Sequence, residues 1–504
     1  MTTLSTTDPR TGTSTPTLLE HTGPERLVEI TSRARDAFGD LRTRSRTWRA
    51  GLLRALADGV EEDREALVST AMSETGLPEP RLNGELSRSV YQLRLFADVV
   101  TDGGYLEAII DHAGQTPLGP GPDVRRMLIP LGPVAVFGAS NFPFAFSVLG
   151  GDTASALAAG GSVVIKAHSS HLLTSQQSYD SLARAAAAYG APEGTIGIVY
   201  GQQAGADLVR DPRITAVGFT GSLSTGTILQ SLIDERPTPI PFFGELSSLN
   251  PLVLTTGALA ERGEEIAEGL YTSFTGSAGQ LCTKPGVALV PEGEAGDALV
   301  AGLVARGEAA GPQTLLNSRI HDSFGEIRTR LIEDGRARSL LAPRAGEQGF
   351  ALTPAVLEID ADDVTPAVAE EAFGPLIVVV RYRDLAQVRS TLTAVPDSLT
   401  ATIHSGAGEE SERQALTEAV RDVVGRIVYD GYPTGVRVCW AMHHGGPWPA
   451  TNTQHTSVGA TAVRRFLRPL AWQDAPQHVL PTELRDGPVD IPRRVDGVLQ
   501  PAGD

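Results

Sequence analysis

The sequence predicts an α/β protein built on parallel sheets, and three observations carry that reading. Over residues 132–255 short β-rich runs (VAVFGAS, SVVIKAH, TIGIVYG, AVGFTGS) alternate with helical stretches (FSVLGGDTASALAAG, TSQQSYDSLARAAAAYG, QQAGADLVRD), the pattern of parallel strands with helices on both faces. A second α/β stretch runs from about Ala258 to Met442 and includes AGDALVAGLVARGEAAG, TPAVLEI, PLIVVVRY, LTATIHS and GRIVYDG. The chain has 504 residues, enough for about three domains, or two large ones with an appendage.

The elements follow in order. Residues 1–24 are rich in Thr, Ser and Pro and are expected to be a mobile tail. LVEITSRARDAF, RTWRAGLLRALADGVEED and SRSVYQLRLFADVV carry apolar stripes at helical spacing and are expected to pack as helices. YLEAII and VRRMLI resemble strands separated by TPLGPGPD, a pair that belongs to the core or projects as an oligomerisation arm. The polar, proline-rich end from Pro469 is expected to be a tail or an arm crossing to a neighbour.

Charge and composition narrow the function. Acidic residues outnumber basic ones 60 to 42, a net charge of −18 that repels phosphate backbones and anionic lipid, so neither nucleic acid nor membrane is an expected partner. No apolar run approaches the roughly 20 residues of a spanning helix, and the N-terminus lacks a signal-peptide pattern; a cytoplasmic enzyme is expected. Two cysteines cannot build a disulfide framework or a four-ligand zinc site, so no metal is expected. Only two of the 42 basic residues are lysines, Lys166 and Lys284.

Cys282 lies in SFTGSAGQLCTKPG, where Gly276, Gly279 and Gly286 allow close approach and Lys284 stands two residues away. It is either a small buried hydrophobe or a nucleophile, which needs access and positive potential. Cys439, among apolar neighbours in TGVRVCWAM, fits the buried reading. Glu245 follows an apolar run in PFFGELSSLNP. It is a strand-end surface residue or, if enclosed, a general base whose pKa rises towards neutrality. GxGxxG is absent after the first strand of the βα series, in FGASNFPF. Gly221 and Gly226 in FTGSLSTG mark a strand-to-helix turn that suits a pyrophosphate.

Taken in order over residues 25–475, GPVAVFGASNFPFAFS, SVVIKAHSS, VGFTGSLSTG, GELSSLNP, GQLCTKPG and EEAFGP resemble the aldehyde dehydrogenase superfamily, with GELS about 37 residues before GQLC. NFPFAFSVLGGDTASALAAG, KAH, YPTGVRVCWAMHHGGPWPATNTQHTSVG and RFLRPLAWQD are similar to the branch containing 2,5-dioxovalerate (α-ketoglutaric semialdehyde) dehydrogenases and the NADP-dependent bacterial fatty-aldehyde dehydrogenases. The resemblance implies two Rossmann-like lobes with a small β oligomerisation arm: a cofactor-binding domain (25–103 and 131–250), a catalytic domain (251–445) and an arm or tail (104–130 and 469–504).

The resemblance also implies roles. Cys282 attacks the aldehyde to form a thiohemiacetal, Asn141 and the Cys282 backbone N–H hold the oxyanion, hydride passes to a nicotinamide, and Glu245 activates the water that hydrolyses the thioester. Lys166 binds the adenosine ribose, Gly221 and Ser222 face the pyrophosphate, and Glu371 with Phe373 holds the nicotinamide end. Ser169 stands where NAD-preferring members often carry a glutamate that repels a 2′-phosphate. With His168 beside it, protonated to add positive potential, NADP is the expected cofactor and NAD is expected to be tolerated. The expected reaction is 2,5-dioxovalerate to 2-oxoglutarate, with Lys284 and Arg437 as candidate clamps for the distal carboxylate. The alternatives are a broad fatty- or aromatic-aldehyde dehydrogenase and a catalytically silent member of the family. A homodimer or homotetramer is expected.

Overall fold

A computed structural model describes residues 3–333, 336–366 and 370–503. Its first element corrects the expectation of a mobile tail: β1 (Thr3–Asp8) and β2 (Thr13–Glu20) form an antiparallel hairpin. Alternating β-branched threonines favour a strand even with little apolar content. Buried Glu74 fixes the hairpin, accepting hydrogen bonds from Thr6 Oγ1 (2.5 Å), Leu173 N (2.9 Å) and Thr174 N (2.8 Å).

The three predicted apolar stripes lie on α1 (Pro24–Leu41), α2 (Arg46–Glu62) and α4 (Glu79–Asp102), with α3 (Arg64–Thr75) between the last two. Gly103 ends α4 at φ 76°, and a Cβ there would stand 2.1 Å from Ile491 Cγ2, so only glycine fits. YLEAII is consequently only half a strand. Residues 104–106 turn in a 3-10 helix, and β3 covers Ile109–Asp111. A small hairpin, β4 (Gly114–Thr116) and β5 (Gly119–Gly121), precedes β6 (Val124–Pro130).

The first lobe then unfolds as β7 (Val134–Phe137), α5 (Gly151–Ala159), β8 (Val163–Lys166), α6 (Leu172–Tyr189), β9 (Ile196–Val199), α7 (Gln202–Arg210), β10 (Ala216–Thr220), α8 (Leu223–Asp234) and β11 (Phe242–Glu245). Its five strands are parallel in the order β11-β10-β7-β8-β9. VAVF and VVI are buried throughout because helices cover both faces of the sheet, which explains their uninterrupted apolar character.

The second lobe contains β12 (Leu252–Leu254), α9 (Thr256–Thr275), β13 (Val287–Pro291), α10 (Glu294–Ala309), β14 (Gln313–Thr314), α11 (Ser318–Glu333), β15 (Arg338–Leu341), β16 (Ala351–Leu352) and β17 (Ala355–Asp360). It continues with β18 (Leu376–Tyr382), α12 (Leu385–Ala394), β19 (Ser398–His404), α13 (Glu410–Val420) and β20 (Val424–Tyr429). Its sheet runs β15-β17-β18-β13-β12-β19-β20, with β15 antiparallel at the edge. The end of the chain joins residues 104–130 in a five-stranded sheet, β21 (Leu467–Gln473), β6, β3, β22 (Arg493–Val495) and β23 (Val498–Gln500). Among the described residues no helix is long and apolar enough to cross a membrane.

Candidate active site

The first sheet places the site. After β7 the chain builds outward through β8 and β9, then returns to lay β10 on the other side of β7. The loops leaving β7 and β10 therefore diverge and open a crevice at the carboxyl ends of the strands. Asn141 follows β7, Lys166 ends β8, Gly221 and Ser222 follow β10, and Glu245 ends β11. Residues scattered over about a hundred positions meet there because parallel strands all finish on one edge.

Cys282 reaches this edge from the second lobe. Beyond α9, Ser277, Ala278 and Gly279 have left-handed φ values of 53°, 55° and 69°. A Cβ on Gly279 would lie 2.3 Å from the Gly374 carbonyl carbon, so the loop packs backbone on backbone. Side-chain amides pin it: Asn141 Nδ2 donates to Gln280 O (2.9 Å), and Asn250 Nδ2 donates to Cys282 O (2.8 Å) and Lys284 O (2.9 Å). Cys282 remains partly exposed rather than sealed in the core.

Three reactive heads converge. Cys282 Sγ lies 3.6 Å from His444 Nε2, and His444 Nε2 lies 3.0 Å from Glu245 Oε1. Ser457 Oγ donates to Glu245 Oε2 (2.6 Å), and Ser457 N donates to His444 O (2.9 Å). The sulfur, an imidazole nitrogen and a carboxylate oxygen all lie within 4.8 Å of one another. Glu245 is enclosed, yet its pKa moves opposite to the expected rise. Burial opposes its charge, but His444, the Ser457 hydroxyl and the Cys282 thiol together hold it below the usual carboxylate value. Burial and the facing Glu245 carboxylate push the Cys282 thiol well above its ordinary value. The resting pair is thus an ionised carboxylate and a protonated thiol, with His444 Nε2 against both.

The residues expected to hold a dinucleotide offer compatible chemistry. Ser222 caps α8, accepting from Thr225 N (3.3 Å), and the exposed turn leaves the helix N-terminus facing the crevice. Lys166 Nζ makes no hydrogen bond with any described residue, and burial lowers its pKa to about 8. Ser169 is exposed. Glu371 Oε2 accepts from Ser247 Oγ (2.7 Å) and Ser248 N (3.2 Å), and burial raises its pKa despite those bonds. Phe373 is half-buried two residues further on. His168 departs from expectation. Burial, then the positive charges at His171 and Lys166, depresses its pKa well below the ordinary value, and its Nδ1 accepts from Ser170 N (3.1 Å). The imidazole is neutral and adds no positive potential.

Of the two cations expected to meet the substrate, Lys284 is held elsewhere and Arg437 lies in solvent. Lys284 is 2% exposed, and its Nζ donates to the carbonyls of Ala372 (2.8 Å), Gly374 (3.1 Å) and Leu376 (3.1 Å). A four-carbon stem carrying three donors suits that cluster, and the ammonium clamps the Glu371–Phe373 loop from behind. Arg437 is exposed to solvent, with no described partner that would aim it inward. Sequence reasoning missed His444 and Ser457. Both lie in the MHHGGPWPATNTQHTSVG stretch that carried the family resemblance, without a role attached.

The model of the aldehyde dehydrogenase family matches residues 2–424. The chain is 44% identical over 483 residues to α-ketoglutaric semialdehyde dehydrogenase 2 of Azospirillum brasilense, covering 94% of this chain and 91% of that one. It is 41% identical over 458 residues to the α-ketoglutaric semialdehyde dehydrogenase of Acinetobacter baylyi, covering 90% and 87%. An NADP complex of NADP-dependent glyceraldehyde-3-phosphate dehydrogenase from Bacillus halodurans superposes with a TM-score of 0.79 at 24% identity, covering 94% of this chain and 96% of that one, and shows the shared fold. The chain belongs to the aldehyde dehydrogenase family.

Proposed function

We propose that this enzyme oxidises 2,5-dioxovalerate to 2-oxoglutarate with NADP, accepting NAD, through an acyl group carried on Cys282. The observation that carries the reading is the convergence of Cys282, His444 and Glu245 at the carboxyl edge of the first sheet. The two relatives named for α-ketoglutaric semialdehyde, similar over most of the chain, support the substrate.

The chemistry follows from the proton path. The thiol proton passes to the Glu245 carboxylate and on to solvent, while the His444 Nε2–H, 3.0 Å from Glu245 and 3.6 Å from the sulfur, holds the two groups together. The thiolate adds to the aldehyde carbon, and the C=O π electrons move onto oxygen. Asn141 uses one N–H on Gln280 O, leaving the other for this oxyanion beside the Cys282 N–H. A nicotinamide dinucleotide bound by Lys166, Ser169, Gly221, Ser222, Glu371 and Phe373 supplies the hydride acceptor. Water then adds to the thioester carbon as its proton goes to Glu245; the C–S bond breaks to release the acid, and that proton passes from Glu245 to the leaving sulfur to restore the thiol. A carboxylate held below its usual pKa is fully ionised at neutral pH and ready for that proton.

The absence of a carboxylate at Ser169 supports NADP, since nothing there repels a 2′-phosphate. Leu118, fully exposed at the β4–β5 turn, and Leu499, 65% exposed on β23, support assembly through the arm as a homodimer or homotetramer. Steady-state rates on semialdehydes and aliphatic aldehydes, each with NADP and NAD, test the proposal. A preference for 2,5-dioxovalerate with NADP is expected, and a preference for long-chain aldehydes overturns the substrate assignment.

A further inference from the structure

With Lys284 held by backbone carbonyls and Arg437 in solvent, the reading above lacks an enclosed cation for the distal carboxylate. The α4 face nearest Cys282 holds Arg81, Glu85, Arg88 and Gln92, spaced to share one side of the helix. Arg81 donates to the Glu85 carboxylate, to Asn141 O (3.1 Å) and to Ser277 Oγ (3.2 Å). Glu85 Oε1 accepts from Phe144 N (2.8 Å) and Ala145 N (2.9 Å), which holds the loop after β7 in place. Two turns along from Arg81, Arg88 makes no hydrogen bond to any described residue, and its Nε and Nη2 are buried without a partner. The buried amide Nε2 of Gln92, one turn further, is likewise unpartnered.

An arginine stays charged even where burial depresses its pKa, and leaving two N–H groups of a half-buried guanidinium unpaired is costly. The π faces of Phe142 and Phe146 lie against it, their ring centres 5.9 and 5.2 Å from the guanidinium carbon, and the Glu85 carboxylate favours its charge without a hydrogen bond to it. Phe146 is near both the guanidinium and the reaction centre, its ring centre 6.3 Å from that of His444, which lies against the Cys282 sulfur. Lys284 holds three carbonyls, and Arg426 donates through both terminal nitrogens, to Gly435 O (3.0 Å) and Pro433 O (2.5 Å), which leaves only its Nε unpartnered.

We propose that Arg88 receives the distal carboxylate of the substrate, in a slot walled by Phe142 and Phe146, and so selects short aldehydes that end in an acid. This rests on the function proposed above and adds the residue that enforces it. The carboxylate supplies the partner that Nε and Nη2 lack, side by side as a bidentate pair requires. The rings flank the intervening carbons, and the chain's length sets the aldehyde against Cys282.

The test is the ratio of kcat/KM for 2,5-dioxovalerate to that for pentanal, an uncharged aldehyde of the same length. In wild type the ratio favours the acid. In Arg88→Gln it falls by about 30-fold or more, the loss of a buried charged contact. Arg88→Lys recovers part of it. Arg88→Met, which keeps an apolar stem against both rings, gives the same readout if the glutamine variant does not fold. A purely structural role would lower both rates and leave the ratio within about threefold, which overturns the assignment of Arg88 while leaving the substrate proposal intact. A wild-type enzyme that prefers pentanal overturns both.

Discussion

On one side of Cys282 both Glu245 oxygens are engaged, by His444 and Ser457, and the carbonyls of the cysteine loop are held by Asn141 and Asn250. On the α4 side the polar atoms Arg88 Nε, Arg88 Nη2 and Gln92 Nε2 are buried without partners. A satisfied network fixes where protons sit before the reaction begins. An unsatisfied wall gains its hydrogen bonds when a ligand supplies them, so its free energy appears as affinity. The first region is built for chemistry and the second for recognition, and substitutions on the two sides should fail in different ways.

The deepest break comes from the sulfur itself. Cys282→Ala should lower steady-state formation of reduced cofactor by about four orders of magnitude or more, whichever aldehyde is offered. Wild-type turnover in that variant would remove the covalent mechanism. At the cofactor end, Ser169 and the unpartnered Lys166 form a second open wall. Ser169→Glu should lower kcat/KM for NADP by about 100-fold, the cost of setting a carboxylate against a phosphate, while NAD is affected much less. Equal effects on both cofactors would contradict the recognition role.

His444 tests the satisfied side. His444→Asn should slow iodoacetamide capture of Cys282 at pH 7 by about 30-fold, because the thiol is raised well above its ordinary 9.0 and its thiolate loses the nearby His444 N–H donor. The sign follows: the thiolate fraction grows as pH climbs towards the raised value, so the variant gains on wild type with increasing pH. A pH-independent gap would show that His444 does not stabilise the thiolate. The smallest effect on selectivity belongs to Lys284. Lys284→Met strands three carbonyls and should cost about 3 kcal/mol of stability, read as a lower Tm. It should not shift the acid-over-pentanal ratio, and a shift as large as that predicted for Arg88 would return Lys284 to the substrate.

The parallel strands were legible because VAVF and VVI are covered on both faces and so carry apolar residues without alternation. Cys282, Glu245 and Asn141 were legible because each sits in a short motif. His444 was not, because its partners lie 162 and 199 residues away and only the meeting of the two lobes joins them. Arg88 reads as one more polar position on an amphipathic helix, and what marks it is a lack of partners, a tertiary property. Lys284 was misjudged because sequence shows a cation beside the nucleophile without the direction of its stem. The threonine-rich start read as a tail because its signal is β-branching rather than apolarity.

The central claim is that an acyl group waits on Cys282 until Glu245 delivers water, and mass spectrometry of Glu245→Gln tests it most directly. Mixed with 2,5-dioxovalerate and NADP, the variant should release one equivalent of reduced cofactor in a burst and then stall, with the acyl mass on the peptide containing Cys282. Multiple turnovers at the wild-type rate, or a burst that leaves that peptide unmodified, would contradict the account.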